Sequence, residues 1–147
     1  MSVFNSINIS ASGLTAERLR ADIISKNIAN ADTTRTAAGT PYRRQVVIFG
    51  TKDNKKSFSE HLEHAKGQKS NLMGVEVNSI QDDPSPFKRI YDPGHPDADE
   101  SGYVLMPNVD IVSEMANLIS ATRAYEANVT AMNGTKAMAL KALEIGK

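Results

Sequence analysis

Apolar residues recur at helical spacing at both ends of the chain and at strand spacing between them. Phe4, Ile7, Ala11, Leu14, Ala21, Ile24 and Ile28 fall on one stripe at steps of three, four and seven, with Arg18 the one polar interruption. The filling is poor for a helix, because Asn5, Ser6, Asn8, Ser10, Ser12 and Gly13 all disfavour it. Such a segment is marginal alone in water, since nucleation is costly, and it needs a partner surface.

The C-terminal end reads the same way, more strongly. Ile111, Met115, Leu118, Thr122, Tyr125, Val129, Met132, Lys136, Ala139 and Leu143 alternate at threes and fours. Val112, Ala116, Ile119, Ala137 and Leu140 form a second stripe that widens the apolar face. Asn108 is the expected N-cap, with Pro107 just outside, Asp110 in the first turn and Gly146 as the residue past the end. At ~1.5 Å per residue this helix is roughly 50 Å long. Asn133-Gly134 interrupts the filling but not the period, so one helix is expected, with Gly134 costing about 1 kcal/mol relative to Ala and marking a close backbone contact.

Between the helices the period changes to two. Val46 to Phe49 is a β-branched and aromatic run, "GVEVNSI" alternates Val75 and Val77 with polar residues, "PFKRIYD" alternates around Phe87, Arg89 and Tyr91, and "YVLM" ends the region. Pro84, Pro86, Pro93, Pro96 and Pro107 keep these strands short. Residues 51–72 are polar and Lys-rich, either a loop or a short surface helix around Phe58 to Ala65. The chain therefore divides into an N-terminal helix over 1–32, a small β-rich insertion over 33–107 with a polar loop at 51–72, and a C-terminal helix over 108–147. The fold class is α+β.

Composition narrows the function. In 147 residues, 17 basic and 17 acidic side chains balance, so no net field draws the chain to nucleic acid or an anionic membrane. Lys52, Lys55 and Lys56 cluster, but Asp53 and Glu60 lie nearby and no aromatic ladder accompanies them. Apolar residues are 40%, with four Phe, four Tyr and no Trp, so the core is expected to be thin and aliphatic. Absence of cysteine excludes disulfides, thiol nucleophiles and Cys-ligated zinc. The first residues carry no basic stretch followed by a long apolar run, so no cleaved signal peptide is expected, and no stretch approaches the ~18 apolar residues of a membrane span.

Candidate chemistry is sparse. Asp97, Asp99, Ser101 and Gly102 match the opening positions of an EF-hand loop, but Asn108 stands where the bidentate Glu is needed, and a turn rich in acids explains them better. His61 and His64 are spaced for two metal ligands without a third, and His95 among Asp92, Asp97 and Asp99 has no nucleophile or oxyanion site to serve. No P-loop, G-x-S-x-G or dinucleotide fingerprint occurs. No enzyme, cofactor or metal is expected. Two terminal helices and a module of some 70 residues give too little core to cover both faces of the longer helix, which points to assembly; a helical adaptor or a calcium-dependent interaction module is the alternative.

Several long motifs carry a resemblance. "SKNIANADTT", "PYRRQVVI", "DPSPFKRIYDPGHPDADESGYVLMPNVDIVSEM" and "LISATRAYEANVTAMNGTKAMALKALEIGK" together resemble the rod proteins of the bacterial flagellar basal body, within the rod and hook axial family. The asparagine motif is shared across that family; the "DPGHPDADESGYVLMPNV" run and "RAYEAN" are similar to its proximal-rod members. Residues 51–72 carry nothing distinctive.

The resemblance implies a structural subunit exported unfolded through the flagellar type III apparatus and assembled in the periplasm into the torque-transmitting rod. It implies that the terminal helices pair as an antiparallel coiled coil lining the inner tube, with the insertion outside. Neighbours would be other copies, other rod proteins and the rod's base protein, with no direct membrane insertion. The expected assembly interface is Ile7, Leu14, Ala21 and Ile28 on the first helix and Met115, Leu118, Ile119, Tyr125, Val129, Met132, Leu140 and Leu143 on the second, with Arg123 and Glu126 as charge contacts. Asn27 and Asn30 are expected at the helix terminus, one of them in a left-handed cap, with amides available for bonds between subunits.

Overall fold

A computed structural model describes residues 3–52 and 73–145. The N-terminal stripe forms helix α1, Val3–Ala29. Strands β1 (Gln45–Thr51), β2 (Val75–Asp82), β3 (Lys88–Tyr91) and β4 (Tyr103–Met106) follow, and α2, Ile111–Ile145, closes the order. The possible short helix around Phe58 to Ala65, together with His61, His64, Lys55 and Lys56, lies outside the described residues.

The strands make two separate antiparallel pairs, β1 with β2 and β3 with β4. The prolines lie outside the strands, Pro41 ahead of β1 and the others between strands or just after β4, as their missing N–H requires. The β1–β2 ladder shifts register between Ile48 and Phe49, leaving Asn78 unpaired as a bulge on β2. Its side chain lies over Gly50, where a Cβ would meet the amide nitrogen at 2.3 Å, so any larger residue at 50 would have to push the Asn78 side chain aside. In the second pair Ile90 stands opposite Val104 and Tyr91 opposite Tyr103, the two rings meeting edge-on at 5.3 Å.

The helices run antiparallel, with the middle of α1 against the middle of α2 and Asn27 against Glu114. Their shared seam differs from the apolar stripe. On α1 the buried positions are Ser10, Gly13, Ala16, Ile23, Ile24 and Asn27, and on α2 they are Glu114 and Ala121. Small side chains let the axes approach closely, because interaxial distance follows the residues at the contact. Apart from Ile23 and Ile24, the large residues are thereby displaced to the flanks and outer face. Phe4, Ile111, Val112, Met115, Ile119, Tyr125, Met138, Leu140 and Leu143 are all exposed.

α2 starts later than its sequence suggests. Its N-cap is Asp110, not Asn108: Glu114 N–H donates to the Asp110 carbonyl at 2.9 Å, and the Ser113 hydroxyl donates to the Asp110 carboxylate. Those contacts with Ser113, then the charge of Lys88, hold the Asp110 carboxyl below its usual pKa. Asn108 instead ties the segment before β1 to the end of β2, accepting from Arg44 N–H at 2.8 Å and donating to the carbonyls of Asp83 and Ser85. α2 runs unbroken through Asn133-Gly134, and nothing among the described residues lies within 4 Å of where a Gly134 Cβ would be, so the expected close contact there is absent.

Candidate functional site

The asparagine motif sits at a buried polar junction rather than on a free helix end. Asn27 is 0% exposed, and its amide makes four bonds. The nitrogen donates to the Gln45 carbonyl and to Glu114 Oε2, each at 2.9 Å; the oxygen accepts from Gln45 N–H at 3.0 Å and from the Tyr42 hydroxyl at 2.8 Å. An amide nitrogen has two donors and its oxygen two acceptor positions, so Asn27 is fully satisfied within the chain. By binding both peptide groups of Gln45 it acts as the last rung on the edge of β1.

Glu114, 1% exposed, is the junction's charge. Arg44 reaches its Oε1 with Nε at 3.0 Å and Nη2 at 2.8 Å, and turns Nη1 to Asp83 at 3.1 Å. Burial opposes the Arg44 charge, but hydrogen bonds to Glu114 and then Asp83 outweigh it and raise its pKa above the ordinary value. Asp83 is drawn down to about 2, first by the hydroxyl and backbone of Ser85 and then by Arg44. The Tyr42 phenol is pushed up, first by burial and then by the charges of Asp82 and Glu114. Beside the junction Arg43 stacks 4.4 Å above the Phe87 ring, so the segment leading into β1 is fixed on both sides.

Two expectations for the motif are corrected. No residue other than glycine has positive φ among the described residues, so neither Asn27 nor Asn30 forms a left-handed cap. α1 ends instead through successive tight turns, Ala31 N–H to Ile28 O and Thr33 N–H to Asn30 O, while Asn30 donates back to Lys26 O at 2.8 Å. The Asn27 amide is likewise not available to another subunit. The sequence did carry a signal: Ile23, Ile24 and Ala31 flank Asn27 at helical steps, placing it inside a buried face.

The other expected interface residues lie around the helix pair. Ile7, Leu14, Ala21 and Ile28 are half-buried on α1, as are Leu118, Val129 and Met132 on α2. Met115 (54% exposed), Ile119 (56%), Tyr125, Leu140 and Leu143 (72%) are open, and Arg123 and Glu126 are exposed with no ion pair among the described residues. Val112, 76% exposed, adjoins Met115 and Ile119 on a face of α2 where Glu114 is the only charged residue between Ile111 and Thr122 and points inward. Val112 and Ile119 of that patch belong to the second apolar stripe and Met115 to the first, although Val112 is not among the expected interface residues.

The acidic loop is occupied by its own contacts. Asp97 accepts from the Thr34 hydroxyl at 2.8 Å and pairs with Arg35 at 3.7 Å; Asp99 accepts from the backbone of Ser101 and Tyr103 and pairs with Arg89 at 3.5 Å. His95 Nδ1 accepts from Asp97 N–H. Gly102, at φ +78°, closes the turn against the Tyr91 ring. These acids shape a turn, and no group of three metal-binding side chains occurs among the described residues.

Both ends of the chain match family models. "Flagella basal body rod protein" covers residues 7–35, and "Flagellar basal body rod FlgEFG protein C-terminal" covers residues 100–145. The class is therefore that of the structural rod proteins of the bacterial flagellar basal body. The flagellar basal-body rod protein FlgC of Bacillus subtilis (strain 168) is 51% identical, with 100% of both chains covered. FlgC of Borreliella burgdorferi is 49% identical over 99% of this chain and 98% of its own, and FlgC of Salmonella typhimurium is 40% identical over 100% of each. The chain belongs to the FlgC family of flagellar basal-body rod proteins.

Proposed function

We propose that this rod subunit occupies the proximal rod and assembles through the outer surface of its helix pair. The observation that carries this reading is the separation of roles on α2: small and polar residues meet α1, while Ile111, Val112, Met115 and Ile119 stand exposed, without a partner among the described residues. Residues 1–32 and 108–147 form the inner helical domain, and residues 33–107 the outer module. Its neighbours are other copies, other rod proteins and the rod base protein.

A shaft carries torque only if its subunits resist shear. Each aliphatic side chain buried between subunits contributes ~1.5–3 kcal/mol, so Met115, Ile119, Tyr125, Val129, Met132, Leu140 and Leu143 together supply the bulk of the contact. Ile7, Leu14, Ala21 and Ile28 extend it onto α1. Arg123 and Glu126 fix partner register, being worth only about 0–1 kcal/mol each while solvated. The weak helix before Leu14 keeps that end threadable through the type III apparatus, and assembly follows in the periplasm. No catalytic, cofactor or metal role belongs to this reading.

The chain has no cysteine, so single labels are clean. With Ile119→Cys incorporated into basal bodies, a short bifunctional thiol-to-amine reagent links neighbouring subunits in high yield, whereas Ser25→Cys on the exposed face of α1 gives less. Equal, low yields from both positions would end the assignment of this face.

A further inference from the structure

Glu114 is covered by two parts of the chain distant from it in sequence, α1 and the lead into β1; α1 also touches the β1–β2 pair through Lys26 with Gln45 and Ser12 with Val75. Asn27 comes from α1, 87 residues away, and Arg44 from the lead into β1, 70 residues away. Arg44 also holds Asp83 at the end of β2, and Asn27 holds both peptide groups of Gln45 at the start of β1. Helix pairing alone leaves the Glu114 carboxylate without its cation. Sheet docking alone leaves Glu114 Oε2 and the Gln45 peptide without the Asn27 amide.

A buried carboxylate is costly unless paired and hydrogen-bonded, and a half-satisfied network is worse than none. Among the described residues the other buried apolar side chains are mostly aliphatic and small, namely Ala16, Ile23, Ile24, Ala31, Val104, Pro107, Val109 and Ala121. Such contacts can be lost a few at a time, whereas the members of the junction lose their partners together.

We propose that Asn27, Arg44 and Glu114 form a folding interlock, which makes the second half of α1, the start of α2 and the β1–β2 sheet close as one cooperative unit. A chain is then either open or closed with its outer helix face in register. Partly closed forms, with α2 presented and the outer module loose, are suppressed. The interlock does not depend on which neighbours that face meets.

Two probes test it on the full-length monomer in urea. One is helical ellipticity, and the other is a fluorophore on Ile80→Cys, an exposed site on β2. Their unfolding curves superimpose in the otherwise unaltered chain. In the Arg44→Met/Glu114→Gln double variant the pair is replaced by neutral groups of similar size, and the two midpoints separate by more than about 0.5 M. Superimposed curves in the double variant would overturn the interlock, as would separated curves without it. Should the double variant not fold, native-state hydrogen exchange on the unaltered chain decides the matter. Amides of Ile23–Asn27 and of β1–β2 then show protection factors and urea dependence equal within a factor of about three; a difference above tenfold would overturn the proposal.

Discussion

A Cβ on Gly13 would lie 3.0 Å from the side-chain oxygen of Asn128, so α1 and α2 approach closely at this pair. The Asn128 amide is held in place by donating to Ala124 O at 2.9 Å. Gly13→Ala gains about 1 kcal/mol of helix propensity and loses a similar amount by crowding Asn128, so alone it is near neutral. With Asn128→Ala as well, the crowding is gone and the propensity gain returns. A thermal double-mutant cycle therefore gives a coupling of about 1 kcal/mol; strict additivity would place the seam elsewhere.

Asp83 makes stability depend on acid pH. Its folded pKa, about 2, lies below the ordinary 3.8, so the stability it contributes is fully present above pH 4 and is lost as pH falls toward 2. Ser85 is the leading cause, so Ser85→Ala is less stable than the unaltered chain at pH 7 and loses less stability across that window, the two converging toward pH 2. Urea midpoints at half-unit pH steps check this, and an unchanged slope in the variant would contradict it.

Tyr42 acts at the other end of the scale. Its raised pKa means that the folded state keeps the phenol proton more firmly than the unfolded chain does, so its contribution holds below pH 10 and declines above it. Tyr42→Phe removes a hydrogen bond to Asn27 and lowers stability by about 1 kcal/mol at pH 7, and it weakens the alkaline decline. Parallel midpoints for both proteins between pH 9 and 11 would show that the phenol is not coupled to the junction.

At the start of α2 the N-cap assignment separates Asp110 from Asn108. Asp110→Ala frays the first turn, seen as faster amide exchange at Val112 to Glu114, and Asp110→Asn largely restores protection because Asn is an equally good cap. Asn108→Ala leaves those amides protected and loosens the lead into β1. Fraying by Asn108→Ala and not by Asp110→Ala would reverse the assignment.

The two helices and the strand runs were legible because periods of 3.6 and two survive weak propensity. The seam was not. Ser10, Gly13, Ala16 and Ala121 carry little hydropathy, so a pattern drawn from large residues traced the outer face of α2, expected there as an assembly surface, and missed the small-residue contact with α1. The junction was illegible for a different reason. Asn27, Arg44 and Glu114 are each ordinary in local context, and only the fold brings residues 70 and 87 positions apart into contact. Asn108 looked like a cap because its type fits, but a residue that can cap a helix can also bridge two strands.

The central claim is that the outer face of α2, and not the fold of the subunit, is what Met115 and Ile119 serve. Met115→Asp with Ile119→Asp, supplied to flagellate cells lacking their own copy of the gene, tests it most directly. Both sites are open in the monomer, so its ellipticity is unchanged and its stability shifts by no more than about 0.5 kcal/mol per site. Rod yield in isolated basal bodies and swimming are lost. Normal rods and swimming with a folded double variant would contradict the claim.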